Sequence, residues 1–125
     1  MKYLCVVYAE ETSFDAMSQG EIEALEDESV AHDEELRKSG HLILAQALQP
    51  VATATTIRVR NGRLSATDGP FAETNEQLGG FIFIEASDLN EAIQIAGRIP
   101  MARFGSIEVR PEMDIGQRVR DRAAR

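Results

Sequence analysis

The sequence has a single cysteine, Cys5, and no apolar run long enough to cross a bilayer. With one cysteine no disulfide can form within the chain, which is typical of proteins in a reducing compartment. A membrane-spanning helix needs about 20 apolar residues, whereas the N-terminal apolar stretch runs only from Tyr3 to Ala9 and is followed by two glutamates. This stretch also lacks the features of a signal peptide, and we expect a cytoplasmic protein.

Basic residues are scarce in the first part of the chain, and the net charge is -8. Residues 1–50 hold eleven acidic residues against three basic ones, whereas the two signs balance over 51–125. Because nucleic-acid-binding proteins need a basic surface to displace phosphate counterions, we expect neither nucleic acid nor membrane as a partner. Four arginines gather in residues 118–125, which predicts a solvated end that could pair with the acidic first helix of a partner subunit.

Residue patterns that bind metals or nucleotides are also missing. Two histidines and one cysteine without close spacing argue against a structural zinc site. Gly79-Gly80 precedes a strand and not a helix, so it is neither a phosphate-binding loop nor a dinucleotide motif. We expect no metal and no cofactor.

The composition is that of one globular domain, with 125 residues of which 43% are hydrophobic and 27% charged. Tyr3–Tyr8 is apolar on both alternating faces, which predicts a central strand covered on both sides. Ser18 and Glu21 have the spacing of a capping box, and the helix they open is expected to end near Ser39, before Gly40.

The rest of the chain predicts three more strands of the main sheet, a second helix and a hairpin turned by Asn61-Gly62. The predicted bounds are 41–49 for a strand, 55–60 and 63–67 for the hairpin, 81–85 for a strand, a helix capped by Ser87 or Asp88 that ends within 97–100, and 106–110 for the last strand. Without the hairpin the order is βαββαβ, which predicts a ferredoxin-like α+β fold with two helices on one face of an antiparallel sheet.

The second face of the predicted sheet is apolar and is expected to be buried. Residues 3–8 and 81–84 are apolar on both faces, and a chain of this length has no third layer to offer. Burial of each large apolar side chain is worth roughly 1.5–3 kcal/mol. We therefore predict a homodimer in which the sheets pack face to face, with a higher oligomer as an alternative.

Five short segments carry a family resemblance. Asp68-Gly-Pro-Phe71 opens a stretch that runs to Phe81, and it is accompanied by Met-Lys-Tyr-Leu at 1–4, Leu-Gln-Pro at 48–50, Thr-Ala-Thr-Thr at 53–56 and Gly-Ser-Ile-Glu-Val-Arg-Pro at 105–111. In kind and order these segments resemble the Asp-Gly-Pro-Phe branch of the YCII-related domains. The resemblance covers residues 1–113 and leaves 114–125 as a basic C-terminal tail.

The resemblance implies a ferredoxin-like fold that dimerises into an α+β barrel. The wider superfamily includes muconolactone isomerase-like and monooxygenase-like enzymes, so an enzyme here would have a lyase- or isomerase-like, or a monooxygenase-like, acid–base activity. Genes of this branch often lie beside genes for sigma factors of the extracytoplasmic-function type, which implies a sigma factor as a regulatory partner.

One feature of the plain YCII proteins, a pair of histidine and aspartate side chains, is not found in this sequence. Plain YCII proteins are thought to use a histidine on the first helix and an aspartate just before a proline after the second helix. Here Ile99 precedes Pro100, and the helix position falls near Ser29, with His32 one turn later. The His-Asp pair is therefore not present as such.

His32 and Asp68 are the candidate catalytic residues. Ser29 and His32 share the predicted sheet-facing stripe of the first helix with Ile22, Leu25 and Leu36. An imidazole there can act as general acid or base near neutral pH, although a half-buried structural histidine fits the same pattern.

Asp68 lies before a glycine and a proline that fix its position. It either caps its own turn or faces a pocket, and it would form an acid–base pair with His32 only if the two residues converge.

Four further residues are candidate ligand-binding groups, each with a structural alternative. Phe71 is either a core residue or a ring that stacks on a ligand. Tyr8 closes the first strand, where a hydroxyl could donate to a ligand or simply pack. Glu85 shares a strand face with two phenylalanines, where it either contacts a ligand or lies at a water-exposed strand end. Arg110 either binds an anion or forms an ion pair with Glu108.

Two functions fit these patterns. The first is a cofactor-independent small-molecule enzyme or ligand-binding protein with a pocket between sheet and helices. The second is a regulatory module that binds a protein such as a sigma factor through the acidic first helix. An apolar pocket on which Asp68 and His32 converge would favour the first, and a closed core in which both side chains are turned to structural partners would favour the second.

Overall fold

The computed structural model describes all residues from 1 to 125. Six strands, three α-helices and three short 3₁₀ turns follow one another along the chain. The strands and helices are β1 (Lys2–Ala9), α1 (Gln19–Lys38), β2 (Leu42–Ala47), β3 (Thr55–Arg60), β4 (Arg63–Asp68), β5 (Gln77–Glu85), α2 (Leu89–Ala96), β6 (Ser106–Pro111) and α3 (Ile115–Ala123).

The main sheet is antiparallel, with strand order β2-β5-β1-β6. With the hairpin left aside, this places the first and third strands of βαββαβ in the centre, which is the ferredoxin-like arrangement. The predicted fold class is confirmed. β3 and β4 form a separate two-stranded sheet inserted between β2 and β5.

The hydrophobic core lies between this sheet and the helices α1 and α2. Cys5 and Ile84 are fully buried on the two central strands, and Tyr3 is nearly so. From α2, Ala92 and Ile95 close against them. Burial raises the pKa of the Cys5 thiol to about 11, so this cysteine is an inert core residue.

The other face of the sheet is also apolar at its centre, but the chain covers it less completely, and Val6 is its one buried residue. One row across the strands joins Leu44, Phe83, Leu4 and Arg110, and the next joins Gln46, Phe81, Val6 and Glu108. Phe81, Phe83 and Leu4 are half-buried where their neighbours on the helix side are buried. We call this surface the bare face.

The local signals of the first helix and of the hairpin are present as predicted. Ser18 accepts from the Glu21 amide at 3.1 Å while the Glu21 carboxylate accepts from the Ser18 amide at 3.1 Å. Gly40 follows the helix with a φ of 83°. Asn61 and Gly62 have φ values of 52° and 73°, which agree with the predicted type I′ turn.

Three expectations were wrong in detail. β5 begins at Gln77 and not at Phe81. Phe71 is no core residue, because 81% of it is exposed on the loop after the hairpin. Residues 115–123 form a helix, capped by Asp114, whose carboxylate accepts from the Gln117 amide at 2.9 Å. No helix of the molecule has both the length and the apolarity that a bilayer crossing requires.

Candidate functional site

A cavity of about 190 Å³ lies on the helix side of the sheet, and we call it the helix-side cavity. Its walls are α1, the adjoining halves of β2 and β5, and the 3₁₀ turn Pro100–Arg103. It is placed as predicted for a pocket between sheet and helices.

The floor of the helix-side cavity depends on a close approach of two strands. Gly80 lies opposite Ala47, and a Cβ built on Gly80 would come within 2.7 Å of the Gln46 carbonyl oxygen. A side chain there would push β2 away from β5, so the glycine keeps the floor closed.

His32 is the polar centre of this cavity. It is half-buried on the sheet-facing stripe of α1, and its Nδ1 is shielded from solvent yet has no hydrogen-bond partner. Burial lowers the pKa of His32; Asp33 and Glu35 oppose this effect, whereas Arg98 adds to it. Burial therefore favours the neutral imidazole, and its Nδ1 is both shielded and unpaired.

Asp33 is a second titratable group in the same cavity, and it was not predicted. Burial raises the pKa of its carboxyl, against the opposing effects of His32 and Arg37. A signal for it was present, since Asp33 lies four residues after Ser29 on the same helix face. The chain thus offers a neutral base and a carboxyl of raised pKa side by side.

The remaining lining is mostly apolar. Ile99 is 4% exposed and occupies the position where plain YCII proteins are thought to hold an aspartate. Met101 and Ile82 contribute further apolar wall, and Ser29 uses its hydroxyl to donate to the Leu25 carbonyl at 2.9 Å. The lining provides few competing partners for the imidazole.

The second histidine has a structural role. Its Nδ1 lies 2.6 Å from the Ser39 hydroxyl oxygen and its Nε2 lies 3.3 Å from the Glu91 carboxylate. His41 therefore links the end of α1 to the start of α2, outside the helix-side cavity. The molecule contains no group of three side chains placed to hold a metal ion.

Asp68 does not lie with His32. It is the last residue of β4, exposed, and it lines neither the helix-side cavity nor the larger cavity described below. The loop beside it is held by backbone contacts: the Gly69 amide donates to the Ala54 carbonyl at 2.7 Å, and the Thr56 hydroxyl donates to the Gly69 carbonyl at 2.8 Å. The Asp68 carboxylate itself makes no hydrogen bond within the chain.

Tyr8 and Phe71 both line a larger cavity, of about 540 Å³, on the opposite side of the sheet. It lies between the end of β1, the start of β5, the base of the hairpin and the loop that follows it. We call it the hairpin-side cavity. The residues predicted as one site are thus divided between two cavities.

Glu85 and Arg110 belong to the bare face and line neither cavity. The Glu85 carboxylate lies 3.3 Å from the N-terminal amine of Met1 and is exposed at its strand end. Arg110 and Glu108 project from β6 on the same face, next to Leu4 and Val6, and neither forms an ion pair within the chain.

The fold and the sequence have recognisable relatives. A solved structure, the 5-chloro-2-hydroxyhydroquinone dehydrochlorinase from Burkholderia phenoliruptrix AC1100 in complex with 2,5-dihydroxybenzoquinone, superposes with a TM-score of 0.52 over 90% of this chain and 94% of that chain, at 16% identity. An uncharacterized protein of Rhizobium meliloti (strain 1021) is 36% identical over 113 residues, which are 89% of this chain and 91% of the relative. The model of the YCII-related domain matches residues 1–115, and the chain therefore belongs to the YCII-related domain family.

Proposed function

We propose that the helix-side cavity binds a small organic compound and that His32 exchanges a proton with it, in a reaction or binding step that needs no cofactor. The observation that carries the proposal is that His32 lines the helix-side cavity while its Nδ1 has no hydrogen-bond partner within the chain, since a buried polar atom without a partner is costly.

Asp33 gives the proposed chemistry its second half. A neutral imidazole accepts a proton, and the neighbouring Asp33 carboxyl, whose pKa burial raises, holds the opposite charge to the imidazolium that forms. Environments that drive two neighbouring titratable groups in opposite directions are typical of acid–base sites. The Asp68 carboxylate on the hairpin is not required for this pair.

The substrate class that we propose is a small hydroxylated or carbonyl compound. A cavity of about 190 Å³ admits one ring or a short chain, and a hydroxyl or enolisable carbon suits a neutral base. The dehydrochlorinase that shares the fold was solved with a dihydroxybenzoquinone bound, which supports the choice of this class as probes.

The alternative, a regulatory module that binds a sigma factor, is expected to have a closed core in which Asp68 and His32 are turned to structural partners. Asp68 and His32 do not converge on one pocket, but the helix-side cavity and the unpaired Nδ1 of His32 support the small-molecule site.

A thermal-shift screen of hydroxylated and carbonyl compounds, 2,5-dihydroxybenzoquinone among them, tests the proposal. We expect at least one compound to raise the melting temperature of the protein and to bind about tenfold more weakly, or not at all, to His32→Ala, measured by isothermal titration calorimetry. His41→Ala is the matched control, since it removes the histidine that lies outside the cavity. Unchanged binding to His32→Ala, or no stabilising compound of this class, would contradict the proposal.

We further propose that the protein is a homodimer in which two bare faces pack together. The support is the apolar centre formed by Leu4, Phe81 and Phe83, with Glu108 and Arg110 unpaired at its edge. In a two-fold arrangement these edge charges can meet their opposites on the partner.

A further inference from the structure

The hairpin-side cavity is formed by loops that are held in place without using the cavity's interior. Polar side chains along its wall bond backbone atoms of the loops: the Gln77 amide donates to the Thr74 carbonyl at 2.7 Å, and the Thr53 hydroxyl donates to the Pro50 carbonyl at 2.7 Å. From outside, the Glu11 carboxylate accepts from the Val51 amide at 2.9 Å. The wall is therefore organised independently of any occupant.

The interior surface is mainly apolar. Leu48, Val51, Leu78 and two prolines supply most of it, and Phe71 lies at the rim with 81% of its surface exposed, the largest exposed fraction among the large hydrophobic residues. An exposed aromatic ring beside an apolar cavity is typical of a binding surface.

Charge limits what this cavity can accept. No lysine or arginine lines it, and its one acid, Glu76, accepts from the Ser106 hydroxyl at 3.0 and 3.2 Å. A carboxylate or phosphate would lose its hydration and find no cation. An uncharged occupant is therefore favoured.

Tyr8 provides a polar contact. It lines the cavity from the end of β1, and its hydroxyl makes no hydrogen bond within the chain. A phenol hydroxyl in apolar surroundings finds a partner when one is available, so an occupant with a hydrogen-bond acceptor gains orientation there.

We propose that the hairpin-side cavity is a second small-molecule site, for an uncharged planar aromatic compound with a hydrogen-bond acceptor. The ring lies against Leu78 and Phe71, and its acceptor takes the Tyr8 hydroxyl. The cavity of about 540 Å³ has the size of ordinary ligand sites. Since Tyr8 and Val7 alternate along β1, this site and the helix-side cavity lie on opposite sides of the sheet.

A neutral naphthyl ketone, 6-propionyl-2-(dimethylamino)naphthalene, is the probe of choice, because its emission reports both polarity and hydrogen bonding to its carbonyl. We expect saturable binding with a blue-shifted, stronger emission. Tyr8→Phe should weaken binding about fivefold, the effect of one neutral hydrogen bond, and should shift the bound emission further to the blue, which a merely structural tyrosine would not do.

Leu78→Arg and Phe71→Ala test the apolar wall, and both should weaken binding more than Tyr8→Phe. His32→Ala should bind the probe as the wild type does, which separates this site from the helix-side cavity. An anionic naphthalene sulfonate should bind more weakly than the ketone.

The proposal is overturned if probe binding does not saturate, or if Tyr8→Phe and Phe71→Ala both bind as the wild type does. It is also overturned if binding disappears as the protein concentration rises, because a second copy of the chain then fills the cavity.

Discussion

The two faces of the main sheet carry the same kinds of side chain and differ in what covers them. Ile84 and Phe83 are neighbours on β5, yet Ile84 is fully buried under the helices and Phe83 is half-buried on the bare face. Ordinary half-exposed sheets alternate apolar with polar residues, and these central strands do not. The two faces therefore differ in burial because helices pack on only one of them, and not because their residues differ. An apolar face without such helices predicts that two copies of the chain associate through it.

The largest expected effect contrasts these two neighbours directly. Ile84→Ala should lower the free energy of unfolding by about 2–5 kcal/mol, because it opens a cavity in a closed core. In dilute protein Phe83→Ala should cost about 1 kcal/mol, since only part of the 1.5–3 kcal/mol of full burial is at stake. Urea unfolding at two protein concentrations measures both, and the cost of Phe83→Ala should grow at the higher concentration. If Phe83→Ala cost the same free energy of unfolding at both protein concentrations, the bare face would take no part in association.

Association itself gives the next test. Phe83→Asp places a charge in the centre of the bare face and should convert a dimer into a monomer in sedimentation velocity at low micromolar concentration. Val30→Asp is the control, because Val30 is exposed on the outer side of α1, away from the sheet. A wild-type monomer, or a Phe83→Asp dimer, would contradict face-to-face packing.

Much of this arrangement could be predicted from the sequence because it rests on local rules. Uninterrupted apolar residues in β1 identified a central strand, the Ser18 capping box located the start of α1, and Asn61-Gly62 located the hairpin turn. Each signal is contained within a few residues, so tertiary context did not override it.

Features that depend on how distant parts of the chain are placed were harder to predict from the sequence. The distance between the hairpin and α1 decides whether Asp68 can meet His32, and no local pattern encodes it; the structure places them in separate regions. Phe71 was open to two interpretations because a loop phenylalanine can turn inward or outward. α3 was missed because arginines dominate it, although Asp114 and Gln117 already had the spacing of a cap.

The smallest expected effect is a change in the pH dependence of stability caused by His32. It tests whether this side chain is buried in the helix-side cavity or hydrated like an exposed one. Burial lowers the pKa of His32 in the folded chain, so the unfolded chain takes up this proton more readily. The stabilising contribution is complete above the unfolded pKa of about 6.5 and is lost as pH falls through the lower folded pKa. The wild type should therefore lose more stability than His32→Gln as pH falls from 7.5 through this range.

Asp33 acts in the opposite direction, and its variant completes the test. Burial raises the pKa of its carboxyl, so the folded chain gains stability as pH falls through that raised value toward the ordinary aspartate pKa of about 3.9. Asp33→Asn should remove this gain and should enlarge the His32 effect, because the Asp33 charge opposes the lowering of the His32 pKa. Other titratable groups, His41 among them, are common to all three proteins and cancel to first order in the differences, measured by urea unfolding across pH. If the free energy of unfolding depended on pH in the same way in the wild type and in His32→Gln, the imidazole would be fully hydrated. The proposal that the helix-side cavity holds a neutral base would then be wrong.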